Sequence, residues 1–195
     1  MVWFLMTIGL LIGAADTNAF GAGSLVDASG AGTPVADRSK WSVETSLTFP
    51  MARIYMVKAG YRISDRSELG IGAAFQNWKN EDQDPLGQSN AWTVILSYRH
   101  YLWRNLNVEV ELWPAYNLFE SFVDGRTYKG FEMWVEYKAG YRFDLTRNLS
   151  LNLQPGLGHA VWVQHQWPGL EDKSRREFQR SSIIFVPQAL ISWRF

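Results

Sequence analysis

The sequence contains no cysteine, which excludes disulfides, thiolate metal sites and cysteine nucleophiles. It has no surplus of charge: 19 lysines and arginines balance 19 aspartates and glutamates, so no net field recommends a nucleic-acid partner. Only 19% of the residues are charged and only 3 are histidines, a thin supply of general bases. Zinc-type ligand spacings, Gly-rich phosphate loops and a G-x-S-x-G elbow are missing, and no metal or cofactor is expected. Nor is any apolar run comfortable for a transmembrane helix; the clearest one spans residues 2–15. What the chain has in excess is aromatic rings, 15% of the residues and 10 of them Trp. Rings in that number need a boundary to occupy.

The apolar run is followed by small residues, with Thr17 and Ala19 in the −3 and −1 places of a cleavage after Ala19. Residues 1–19 therefore read as a secretory signal peptide, although no Lys or Arg precedes the run and a short uncleaved anchor is the alternative. Residues 20–40, rich in Gly, Ala, Ser, Thr and Asp, read as a flexible leader. The folded domain is expected over 41–195, a length that can close one barrel.

From Trp41 onward the hydrophobic period is two, and no stretch offers a convincing helix. In GFEMWVEYKAGYRF, Phe131, Met133, Val135, Tyr137, Ala139, Tyr141 and Phe143 alternate with Glu132, Trp134, Glu136, Lys138, Gly140 and Arg142. LNVEVELWPAY repeats the pattern with Glu109 and Glu111 on its polar face. Strict alternation over ten or so residues matches a strand that crosses a bilayer better than an average soluble strand. Turn signals divide the chain into eight strands, roughly 41–49, 54–63, 68–78, 91–101, 106–118, 128–143, 149–164 and 180–195. SDRS, LWRN and DLTRN are short connections, whereas KNEDQDPLGQSN, FESFVDGRT and HQWPGLEDKSRREFQ are long and polar. The expected fold is thus all-β, an eight-stranded antiparallel up-and-down transmembrane barrel with short periplasmic turns and longer extracellular loops. A soluble sandwich is the competing architecture.

AGYRISDRSELGI, LSYRHYLWRNLNV and AGYRFDLTRNLSL share a Tyr-Arg, a second arginine four or five residues later, and then a new apolar strand. Tyr61, Tyr98, Tyr141, Trp193 and Phe195 are expected outward at the periplasmic headgroups, with Tyr55, Trp78, Trp92, Tyr116 and Phe131 at the other interface. Inward parity collects Glu44, Glu68, Glu109, Glu111, Glu132 and Glu136 with Lys58, Arg62, Arg99, Lys138, Arg142 and Arg194. Because an eight-stranded lumen is just wide enough for side chains to fill, these groups are expected to form a paired plug and not a pore.

The alternation, the turn asymmetry, the ring belts and the closing ISWRF resemble the small bacterial outer-membrane barrel class of the OmpA and OmpX type. The resemblance covers residues 41–195 at the level of architecture. It implies an outer-membrane location in a Gram-negative envelope and contact with membrane lipids, including lipopolysaccharide. It further implies assembly by the barrel-assembly machinery through the last strand, and a role in adhesion, membrane stability, host interaction or lipid modification. The extracellular ligand is open. The acidic KNEDQDPLGQ and basic SRREFQR loops are candidate recognition surfaces.

Catalytic candidates are few. His165, counted outward at the loop end of the seventh strand, is expected to face Ser181 with Glu177 nearby, a histidine, hydroxyl and carboxylate suited to acyl-ester hydrolysis. VQHQWPGLE resembles the corresponding stretch of outer-membrane lipid A deacylases, with Trp167 standing where that family has its serine. The resemblance implies a lipid A acyl hydrolase as the alternative function. Pro155 and Pro187 lie on neighbouring strands, where lost ladder donors could weaken a lateral seam of the kind that resembles the lipid A palmitoyltransferase, or simply bend the strands.

Overall fold

The computed structural model describes residues 40–81, 86–165, 167 and 182–195. The expected signal peptide and most of the leader lie outside these residues, as do Ser181 and Glu177. The strands are β1 (Trp41–Ser46), β2 (Ile54–Ser64), β3 (Ser67–Asn80), β4 (Gly87–Trp103), β5 (Leu106–Ser121), β6 (Thr127–Asp144), β7 (Leu149–His165) and β8 (Ile184–Arg194). Each pairs antiparallel with the next, and β8 returns to β1, giving a closed eight-stranded barrel. Closure removes the free edges that an open sheet of this composition would expose.

β3 and β4 remain paired out to Asn80 and Gly87, and β5 and β6 out to Glu120 and Thr127. Residues assigned above to long loops therefore continue as polar hairpins, because their backbones complete each other's ladders. β1 does the reverse. It ends at Ser46 instead of Phe49, since Pro50 lacks an N–H and suits the first turn of the 3₁₀ segment Phe49–Ala52. The Ser46 hydroxyl accepts the Phe49 N–H at 3.1 Å, and Arg53 ends the segment with a left-handed φ of 57°. Phe49 turns inside, edge-on to Trp113 at 5.9 Å between ring centroids.

The two faces partition in reverse to a water-soluble core. Outward positions such as Val57, Ile71, Val94, Val110 and Leu157 are exposed, while Lys58, Glu109, Glu111 and Gln154 are fully buried inside. Exposed Tyr98, Tyr141, Trp193 and Phe195 ring the short-turn end, and Tyr55, Trp92, Tyr116 and Phe131 ring the other. Trp78 departs from the expected belt. It pairs with Ser89 on the inward parity of β3 and donates its indole N–H to Gln76 at 3.1 Å, so it stands at the mouth of the lumen.

Candidate functional site: an ion network across the barrel interior

All eight strands send side chains into one polar network. Lys58 of β2 places its ammonium 2.6 Å from both Glu109 and Glu111 of β5 and 3.3 Å from Glu44 of β1. Its stem lies where β3 offers no side chain: a Cβ on Gly70 would come within 3.2 Å of Lys58 Cδ. Arg99 of β4 grips Glu44 with two bonds of 2.7 and 2.9 Å and reaches Glu109 at 2.7 Å and Glu68 of β3 at 3.3 Å. The fork geometry explains why an arginine is found there. Lys138 of β6 bonds Glu111 and lies 2.7 Å from Glu136. Gln154 of β7 donates to Glu109 at 2.9 Å, and Arg194 of β8 to Glu68 at 2.8 Å.

Arg62 and Arg142 stand nearer the short-turn end. Arg62 is 3.9 Å from Glu68. Arg142 donates to the Tyr101 hydroxyl at 3.1 Å and pairs with Asp144 at 2.9 Å. Five buried carboxylates, Glu44, Glu68, Glu109, Glu111 and Glu136, thus share four buried cations, Lys58, Arg99, Lys138 and Arg194, with Arg62 at the edge. An internal space of about 10 Å³ beside Lys58, Ser97 and Arg99 is the size of one water and far from a conduit.

Toward the loop end the network gives way to an apolar layer of Phe49, Met56, Ile95, Trp113, Val186 and Leu190. Beyond it stands Glu132, which accepts the Trp134 indole N–H at 2.6 Å and lies 2.6 Å from Nε2 of His165. Glu132 is therefore apart from the other predicted lumen charges.

His165 differs from expectation. A register shift opposite Met133 and Trp134 inserts Val161 as an extra residue, so the parity of β7 reverses and His165 pairs with Gly130 on the inward side. Its side chain is 4% exposed and stacks on Trp167 at 3.9 Å. A Cβ on Gly130 would sit 2.7 Å from the imidazole, so glycine makes the room. His165 thus faces Glu132 within the lumen and presents no base on the outward face of the barrel. Its expected partners Ser181 and Glu177 lie outside the described residues.

The prolines also act elsewhere than expected. Pro155 and Pro187 face each other in an unbroken ladder from Leu149↔Trp193 to Gly158↔Ile184. Facing residues without N–H groups keep a ladder only at a non-hydrogen-bonded pair, so each nitrogen points away from the other. That of Pro155 points to β6, where pairing skips from Lys138↔Gly156 to Tyr141↔Leu153. That of Pro187 points past the end of β1, where Leu47 N–H and the Thr48 hydroxyl occupy the carbonyl and amide of Ala189 at 2.8 and 3.2 Å. No seam opens between β7 and β8.

One cluster escaped the sequence reading. The outward Ser67 hydroxyl lies 3.0 Å from Nδ1 of His100 and 3.1 Å from the Tyr98 hydroxyl, near the short-turn rim. Only strand register brings residues 67 and 100 together, and no local spacing signals it. Among the described residues no carboxylate bonds His100, and no group of three or more metal-ligating side chains occurs.

No curated protein matches the chain. Among solved structures, it is similar to the N-terminal β-barrel domain of Pseudomonas aeruginosa OprF, with 14% identity, a TM-score of 0.45, and 80% of this chain and 96% of that chain covered. Neisserial surface protein A (NspA) is similar with 11% identity, a TM-score of 0.46, and 80% and 98% covered. At the level of sequence a family model described as "Protein of unknown function (DUF3575)" matches residues 26–194, and the chain belongs to that family.

Proposed function

We propose that this chain is a bacterial outer-membrane barrel with a closed interior. It gives the envelope a rigid, non-conducting element and presents its long-loop rim to surface partners. The membrane location is supported by the apolar outward wall between two aromatic rings, which water would not tolerate over so large a surface. The observation that carries the closed interior is the ion network: Lys58 and Arg99 join carboxylates from β1, β3 and β5 across the full width of the lumen. Charges held at such distances by bonded partners form a plug, because moving any one of them leaves another buried and unpaired. A lipid A hydrolase would need its base on the lipid face, and His165 faces Glu132 instead. Assembly through the last strand by the barrel-assembly machinery is part of the same proposal.

Planar-bilayer recording tests it. Refolded protein should insert without large stable conductance, and steady channels from the unaltered chain would overturn the closed interior. Insertion itself is read separately, from gel migration that changes on heating.

A further inference from the structure

We propose that the short-turn rim binds the phosphate headgroups of anionic phospholipids through Lys40, Arg66, Arg104 and Arg147. The inference rests on the membrane reading above. Each place where strands end on this rim carries one exposed cation: Lys40 before β1, Arg66 between β2 and β3, Arg104 between β4 and β5, and Arg147 between β6 and β7. The arginines one step earlier in the internal repeat behave differently, since Arg62, Arg99 and Arg142 meet Glu68, Glu44 and Asp144. Among the described residues the four rim cations form no ion pair, and the exposed Arg104 lies 4.8 Å over the ring of Trp103. The exposed acidic side chains of the rim, among the described residues, are Asp65 and Asp144, and Arg142 already holds the latter at 2.9 Å. A chain with zero net charge therefore carries a local cationic ring.

Depth and neighbours identify the occupant. Exposed Tyr98, Tyr141 and Trp193 lie on the same end of the wall, the position such rings take at headgroup level. Exposed Leu102, Trp103 and Leu145 alternate with the cations. That mixture suits a surface where phosphate adjoins hydrocarbon, and it suits a solvated wall polymer poorly. Next to Arg66, the Ser67 hydroxyl, Tyr98 hydroxyl and His100 ring add hydrogen-bonding groups on the outward face, within 3.4 Å of one another. A phosphodiester beside Arg66 would meet a cation and hydroxyls together.

The test uses the full chain in nanodiscs of mixed phosphatidylethanolamine and phosphatidylglycerol, with retained lipid counted by native mass spectrometry. Phosphatidylglycerol should be enriched on the order of tenfold, as expected for several clustered cations. R66Q/R104Q/R147Q should bring enrichment close to unity, and R66K/R104K/R147K should keep most of it, with heat-modifiable migration reporting that each variant is folded. Equal retention by the unaltered chain, or enrichment that survives the glutamine substitutions, overturns the proposal. Release of bound phosphatidylglycerol by soluble muropeptides would assign the ring to the cell wall and overturn it equally. A chain that never enters the nanodisc fails at the membrane reading, before any lipid is counted.

Discussion

At the residue scale, Lys58 is the side chain on which most depends. Its ammonium is within 3.3 Å of Glu44, Glu109 and Glu111, and its exposure is 2%. Lys58→Met keeps the stem and removes the charge, leaving Arg99 and Lys138 as the cations that these carboxylates contact, with neutral donors from Gln154 and Trp113. A loss of about 3–5 kcal/mol is expected from stranding buried charge, measured by denaturant unfolding of the refolded protein. A loss below about 1 kcal/mol would mean that the interior rearranges freely. On the loop side Asp124 offers a pH test. A hydrogen bond from the Tyr128 hydroxyl, then one from the Arg126 N–H, holds its carboxyl below the ordinary 3.8. Because the folded-state value is depressed, its contribution is complete above 3.8 and is lost as pH falls through the lower folded value. Protection of the Arg126 amide, its exchange rate relative to the intrinsic rate at each pH, should therefore stay constant from neutral pH to about 5 and fall only in stronger acid. Asp124→Asn should remove that pH dependence. The lumen residues were legible from parity because the alternation around each of them is unbroken; the extra residues Ile63 and Leu102 fall beyond Arg62 and Arg99, next to the short turns. His165 was not. VWVQH alternates equally well in either register, so the inserted Val161 leaves no mark in the sequence.

At the scale of elements, the prolines show how a strand can lose donors without losing the barrel. Pro114 and Pro155 each open a short gap in one ladder, between Thr93↔Ala115 and Leu96↔Leu112 and between Lys138↔Gly156 and Tyr141↔Leu153. Pro187 sits where no strand requires its N–H. Pro155→Val should return one ladder bond and stabilise the barrel by roughly 1 kcal/mol, whereas Pro187→Val should give no gain. Equal gains from both, in unfolding midpoints of the refolded protein, would show that ring rigidity and not the ladder governs these sites. Sequence placed both prolines on adjacent strands but could not say which neighbour each nitrogen faces, since that depends on which pairs carry the hydrogen bonds. Strand ends were misjudged in both directions for a related reason: polar hairpins such as GQSN continue because a partner strand is present, and β1 stops because Pro50 intervenes.

At the scale of the whole molecule, the shortness of β1 has a kinetic meaning. β2 through β7 are joined to their neighbours by hairpins, and each pair can form from residues already close in the chain. Closing the ring instead brings Ser42 to Arg194, the most distant pairing in sequence, and fixes a strand of only 6 residues. Loop closure is an entropic cost met before contacts reward it, and here the reward is a ladder confined to residues 42–46. The rate of folding should therefore be set at this joint. Glu44→Gln, which weakens the grip of Arg99 and Lys58 on β1, should slow the appearance of the heat-modifiable form more than it speeds unfolding. In a chain whose wall assembles from neighbours, the ions of the interior then act as the catch that completes the ring.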